Sequence, residues 1–370
     1  MKVTWKIWSS LILVSIVFLV SEKTVAQELK VLATPAPVSL KNSDDSENQT
    51  IEPSAVEPIG GGKFLLVADD KDDGNGNSLK IIETSTGKVL KTLTKIQSSD
   101  KNPKWEALAK DEQENYYVIG SHNNADAQKL ARRSLMFRFR LNNEMEQDAA
   151  KIEIDAASVR ELDVKESLTA LQLYSTVPAN NKVKIEGLAV RKTVCGQELI
   201  IGFREPFDIT KADTVKVYSA IIPNDAFESK AIIKLSLKPL FQLNAEKTAD
   251  KTPFQLSSIE YVQDLKGFLV LTSTETKDAS NKAVSHGNAL WFVSDEMIET
   301  ARPTNFSESY KTAPTQKVLK FQPSMKAEGI CLLSKRNQKT FRFALVFDND
   351  AEETKIGGKM QFIELSTAPN

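Results

Sequence analysis

The chain has 370 residues, with 48 Lys and Arg against 49 Asp and Glu and a formal net charge of −1. That balance provides no basic face for nucleic acid or for an anionic membrane, and the aromatic residues, 7% of the chain, do not interleave with a basic stripe. Two cysteines, Cys195 at an expected hairpin tip and Cys331 in an expected inner strand, lie too far apart in the pattern to bridge and exclude a disulfide-built scaffold.

Residues 1–26 read as an export signal. Lys2 and Lys6 supply positive charge, residues 11–20 are apolar, and Thr24, Val25 and Ala26 offer small residues before a cut ahead of Gln27. The apolar run is shorter than the about 20 residues a transmembrane helix needs. The expectation is a periplasmic or secreted mature chain over residues 27–370, one domain, with no stable membrane span after cleavage.

A strand-like run over residues 28–33 (ELKVLA) has no neighbour in sequence to pair with. Residues 34–53 follow as a mobile connection, polar, acidic and Pro-containing. An apolar-acidic phrase then recurs, starting at Ser54 (SAVEPIGGGKFLLVADD), Glu106 (EALAKDEQENYYVIGSH), Glu186 (EGLAVRKTVCGQELIIGFREP), Glu260 (EYVQDLKGFLVLTST) and Glu328 (EGICLLSKRNQKTFRFALVFDND). Each copy carries two strands, and further strand-like runs follow. They are residues 78–84 and 88–94, then 135–141 and 151–155, then 214–221 and 231–237, then 289–294 and 316–321. Four strands per repeat is the composition of a β-propeller blade.

After the fifth copy only residues 359–365 remain. The missing strand is available at the other end: residues 28–33 pairing beside 359–365 would close the ring and remove two exposed edges. The chain therefore reads as all-β, a β-propeller of five four-stranded blades. Six blades is the alternative, if the stretch between the second and third copies hides a degenerate blade. That stretch reads better as an insertion with one helix near residues 158–173. Ser158 and Glu161 fit a capping box, Val159, Leu162, Leu168 and Leu171 follow at helical spacing, and Pro178 ends the segment. Small residues on one face of the repeated strand, Gly187 with Ala189 and Ala107 with Ala109, let neighbouring blades approach.

Glu106, Glu186, Glu260 and Glu328 share one repeat position, with Ser54 replacing the fifth. Carboxylates crowded near an axis must be hydrogen-bonded, protonated or paired with cations. They act either as staples to backbone amides of the next blade or as oxygen ligands for a hard cation such as Ca²⁺. The ends of the second strands form another ring: Asp69-Asp70, Ser121-His122, Arg204-Glu205, Ser273-Thr274-Glu275 and Asp348-Asn349-Asp350. Both histidines, His122 and His286, fall in loops on that face. His122, Arg204 and Glu205 are the catalytic candidates, with His122 as an acid/base group near neutrality and Arg204 as a clamp for phosphate or carboxylate. Asp69, Asp70, Glu106, Glu186, Glu328 and Asp348 are the candidate metal ligands. Residues 69–77 (DDKDDGNGN) form the most cation-like loop but lack the bidentate Glu of an EF-hand, and Arg132 and Arg133 read as surface charge. No GxSxG, HExxH, Walker or dinucleotide motif occurs.

The segments WEALA…YVIGSH (residues 105–122), IEGLA…IIGFREP (185–206) and AEGI…VFDND (327–350) resemble an exported bacterial domain-of-unknown-function family of β-propellers. In its Glu-Gly-Leu-Ala phrases that family is similar to esterase-like phytase propellers and, more distantly, to regucalcin-like lactonases. The resemblance implies a β-propeller and no established activity; the phytase comparison implies calcium and phosphate esters as ligands. Ser54 in the first copy and Tyr261 in the fourth depart from the phrase.

Together these readings describe an exported, monomeric propeller binding a small anionic or metal-chelated ligand on the face that bears His122, Arg204 and Asp348. One alternative is a calcium-dependent phosphoesterase or a lactonase, in which a metal-activated water attacks. The other is a non-catalytic scaffold contacting an extracytoplasmic protein or a polysaccharide.

Overall fold

The computed structural model describes residues 28–41, 51–69, 79–93, 96, 104–122, 130–131, 133–142, 148–171, 183–205, 214–228, 230–244, 246–248, 251–277, 283–301, 312–321, 326–348 and 358–367. The expected export signal and residues 42–50 of the expected connection lie outside them. Among the described residues no helix is long and apolar enough to cross a membrane.

The strands form five antiparallel blades in a ring. Blade one contains Pro53–Ile59, Phe64–Asp69, Leu79–Glu83 and Val89–Thr92. Blade two contains Trp105–Lys110, Tyr116–Gly120, Met136–Phe139 and Arg160–Asp163, and blade three Lys184–Thr193, Gly196–Glu205, Thr214–Pro223 and Lys238–Asn244. Blade four contains Gln255–Val262, Gly267–Lys277, Ala283–Ser294 and Gln316–Phe321. Blade five contains Lys326–Asn337, Thr340–Asp348 and Lys359–Thr367, completed by Leu29–Ala33 from the other end of the chain. Leu29 pairs with Thr367 and Val31 with Leu365, as the unpartnered strand in the sequence requires. Each innermost strand packs on that of the next blade, and the fifth packs on the first. The ring is closed at five.

Alternation along the second strands shows what holds the ring. In blade one, Phe64, Leu66 and Ala68 pack with Trp105, Leu108, Tyr116 and Val118 of blade two. Leu65 and Val67, on the other face, pack with Cys331, Ala344 and Val346 of blade five. Each inner strand is thus buried on both faces and reads as a continuous apolar run, at about 1.5–3 kcal/mol per large apolar side chain.

Three outer elements depart from the sequence reading. Residues 151–155 do not form the outer strand of blade two. Glu153–Ile154 instead pairs with Leu141–Asn142 in a small separate hairpin, and Arg160–Asp163 lies beside Met136–Phe139. Residues 231–237 do not form the outer strand of blade three; Ile233–Lys234 runs parallel to Arg160–Asp163 on the edge of blade two, and Lys238–Asn244 closes blade three. The inserted helix is only Lys165–Ala170. The capping box fails because the Ser158 hydroxyl accepts from the Arg140 amide (2.7 Å) and donates to the Asp155 carbonyl (2.7 Å). Leu162 is drawn into the strand beside Met136, and the helix starts where the Asp163 carboxylate accepts from the Lys165 amide (2.8 Å). The connection expected over residues 34–53 is anchored at both ends: Val38–Ser39 pairs with Met360 and Lys359, and Leu40 and Ile51 are buried.

Blades approach closely where the repeat carries glycine. A Cβ at Gly202 would lie 2.2 Å from Leu256 Cδ2 of blade four, and one at Gly329 would lie 3.0 Å from Ala55 Cα of blade one. The second neighbour is backbone and cannot yield by a rotamer change. Gly329→Ala should therefore cost about 1–3 kcal/mol, read as a lower midpoint of thermal unfolding; an unchanged midpoint would show that blades five and one are not pressed together there.

Candidate functional site

Every innermost strand carries a β-bulge at the same height. The register slips between Pro53 and Ala55, Trp105 and Ala107, Ile185 and Gly187, Leu256 and Ser258, and Ala327 and Gly329. The extra residue at each bulge is re-aimed. Those residues are Ser54, Glu106, Glu186, Ser257 and Glu328, so the ring holds three carboxylates. Glu260 does not belong to it: blade four's bulge falls at Ser257, three residues earlier. The position Glu260 does share is that of Glu57, three residues after the bulge in blade one.

Two residues before the bulge stand Glu52, Lys104, Lys184, Gln255 and Lys326, so blades two, three and five repeat a Lys-x-Glu phrase (KWE, KIE, KAE). Lys104 Nζ lies 3.1 Å from Glu106 Oε1, Lys326 Nζ lies 2.5 Å from Glu328 Oε1, and Lys184 pairs with Glu186. Arg204 reaches Glu186 Oε1 at 3.4 Å and donates from Nε to Gln255 Oε1 of blade four at 3.0 Å. Asp348 Oδ2 stands 4.0 Å from Lys326 Nζ.

The charges meet near the axis. Burial would raise the Glu106 carboxyl, but Lys104, Lys184 and Lys326 from three blades outweigh it and hold it below the usual range. Burial pushes Glu328 up to about 7; Lys326, Arg204 and Lys184 pull it down while Glu186 pushes it up. If all are ionised, Lys104, Lys184, Lys326 and Arg204 balance Glu106, Glu186, Glu328 and Asp348.

A second tier lies three residues along each strand, where Glu57, Ala109, Ala189, Glu260 and Cys331 stand. Here the staple reading holds. Glu260 Oε1 accepts from the Leu332 amide of blade five (3.0 Å), and Glu57 takes the Lys110 amide of blade two. Burial raises both carboxyls, Glu57 well above its usual value with Glu260 adding to the rise, and Glu260 to about 8. Glu260 keeps a small exposed fraction, yet the surrounding ring desolvates its carboxyl. Burial, with Glu57 and Glu260 beside it, also pushes the Cys331 thiol up. Other staples are neutral: the Ser54 hydroxyl donates to the Trp105 carbonyl (2.5 Å), and Asn288 Oδ1 accepts from the Ala327 amide (2.9 Å).

The remaining candidates fall as follows. His122 is fully buried with φ 54°, and burial, then Lys165, lowers its imidazole to about 3. Burial therefore favours the neutral imidazole at physiological pH. The Asp69 carboxylate accepts from the Glu52 amide (3.1 Å) and pairs with Lys80, tying blade one together. Glu205 pairs through its backbone with Lys184. Its side chain, the His286 side chain, Asp70 with the rest of the loop to Asn77, Asn349, Asp350 and Arg132 lie outside the described residues. Among the described residues no three His, Cys, Asp or Glu side chains converge as a metal set.

No protein-family model matches the sequence, and a search of curated proteins found no match. Solved structures of similar shape include the Dos1 propeller (TM-score 0.35, 10% identity, covering 84% of this chain and 57% of that chain). They also include the exo-β-1,3-galactanase of Phanerochaete chrysosporium (0.44, 6%, 91% and 64%) and the Cps50 (Swd1) propeller domain of Myceliophteria thermophila (0.35, 10%, 91% and 99%). The likenesses are too remote to carry chemistry. The assignment as a five-bladed β-propeller rests on the chain's own strand order.

The second tier makes stability depend on pH. Glu260 has an ordinary value of 4.5 and a folded value of about 8, so the native state keeps a proton that the unfolded chain gives up between them. Its contribution is complete below the lower value and is lost as pH rises through the upper one. Glu260→Gln keeps an acceptor for Leu332 and has no proton to lose. The variant's melting midpoint should gain several degrees on wild type from about pH 6 to about pH 9; parallel curves would refute the assignment.

Proposed function

We propose that this chain is an exported propeller that binds a small anionic ligand at the axial site, on the face that bears Arg204 and Asp348. The observation that carries this is the convergence of Lys104, Lys184, Lys326 and Arg204, from three blades, around the axis. Closing the ring does not require these charges. Blades one and four place Ser54 and Ser257 at the same bulge, and the Ser54 hydroxyl staples its blade to the next without any buried charge. Burying ion pairs costs desolvation that their attraction need not recover, so a cluster that folding does not need points to a ligand. Arg204, held in place by Glu186 and Gln255, supplies a guanidinium for a carboxylate or phosphate. Export is supported by Lys2, Lys6 and the apolar residues 11–20.

The calcium-dependent phosphoesterase has less support. A divalent cation on Glu106, Glu186 and Glu328 would sit against three ammonium groups already paired with them. Thermal unfolding of the mature protein separates the readings. Citrate or inorganic phosphate at 100 times its dissociation constant should stabilise the native state by about 2.7 kcal/mol, and Arg204→Ala should abolish the shift. A midpoint raised by Ca²⁺ and unmoved by either anion would overturn the proposal in favour of the metal site.

A further inference from the structure

We infer that the ligand of the axial site is a hydroxylated anion, a carboxylate or phosphate ester whose neighbouring carbons bear hydroxyl groups, and not a bare anion. This rests on the anion-binding reading above and adds the chemistry of the rest of the ligand.

The observation is a set of buried oxygens with no hydrogen-bond partner. Glu186 Oε1 carries Lys184 and Arg204, but its Oε2 has none. Glu328 Oε1 carries Lys326, and its Oε2 has none. Both residues are at least nine-tenths buried, Glu186 at 1% and Glu328 at 5% exposure. Thr274 Oγ1, on the blade between them and two residues beyond the Thr272 that pairs with Leu256, is likewise buried and without one. At that blade's bulge stands Ser257, whose hydroxyl is spent on Ser273 Oγ (2.6 Å). Blade four thus puts a short side chain between two glutamates, at a position where blades two, three and five put a glutamate. Arg204 reaches this blade through its bond to Gln255.

An ionised carboxylate oxygen can only accept, and a buried acceptor left unmet is unfavourable. The ligand must therefore bring a donor to Glu186 Oε2 and a hydroxyl to Glu328 Oε2, which accepts when ionised and donates when protonated, while its anionic group meets Arg204 and the lysines. Ammonium groups are the wrong donors. Lys184, Lys326 and Arg204 already neutralise these two glutamates, and a further cation among them would be repelled. Hydroxyl groups donate without adding charge, and Thr274 can either donate to or accept from one.

Calorimetric titration of the mature protein with matched pairs tests this: D-glycerate against propionate, glycerol 3-phosphate against propyl phosphate, and β-alanine as the ammonium-bearing arm. The hydroxylated member of each pair should bind at least about tenfold more tightly. Glu328→Gln and Thr274→Val should shrink that preference, and Glu328→Gln, lacking one negative charge, should bind propionate no more weakly than wild type does. If Glu328→Gln folds poorly, Thr274→Val, which keeps its shape, carries the same readout. Equal binding of both members, or tighter binding of β-alanine, would overturn the hydroxylated ligand while leaving anion binding intact. No binding of any anion would remove the functional reading itself, and this inference with it.

Discussion

The structure depends on closure. A blade of this protein cannot satisfy its own sheet faces: Phe64, Leu66 and Ala68 need blade two, while Leu65 and Val67 need blade five. Only a ring gives every inner strand two neighbours, and Leu29–Ala33, with the short Val38–Ser39 beyond it, covers the outer edge of the last sheet. The bulges follow from this. Strands crowded round an axis twist strongly, and a bulge both increases twist and turns one side chain out of the alternation. The axial site is therefore a by-product of the geometry that shuts the ring, with its side chains placed at the height where every strand departs from regular pairing.

Along the axis the same ring solves the burial of acids in two ways. At the bulge, Glu106, Glu186 and Glu328 are met by cations two residues away on their own strands. Three residues further, Glu57 and Glu260 have few cations at hand, are driven towards the neutral form, and accept backbone amides of the next blade. One tier keeps charge available, and the other gives up charge for mechanical attachment.

The inner architecture was legible in the sequence because strands buried on both faces are long apolar runs with no competing reading, as at Phe268–Leu271 (FLVL). The closing strand could be found by counting. The outer strands were harder because they are short and half-exposed: Arg160–Asp163 has a single buried side chain, Leu162, and its three-residue spacing from Val159 imitates a helix. Glu260 was placed in the wrong tier because its phrase resembles the others, while the bulge that sets the register lies in Leu256-Ser257-Ser258 and is defined only by the partner strand. The Lys-x-Glu phrases were visible, but a Lys at a strand entry reads as solvent-facing until Lys104, Lys184 and Lys326 are seen to turn towards one axis. His122 stood out by rarity alone, and its burial, which favours the neutral imidazole, had no signal in the sequence.

The pairing of Leu29 with Thr367 also bears on how the molecule is made. It is a contact of very long sequence separation, and loop-closure entropy must be met before it returns any stabilisation. Strand Leu29–Ala33 can settle only once Lys359–Thr367, which follows every other blade strand in the sequence, is there to pair with it. Until then the fifth sheet has an open edge and Leu29 lacks its packing against Phe341, Phe343 and Leu365. Hydrogen exchange at the amides of residues 29–31 during refolding would follow the final seam and lag behind the blades it joins.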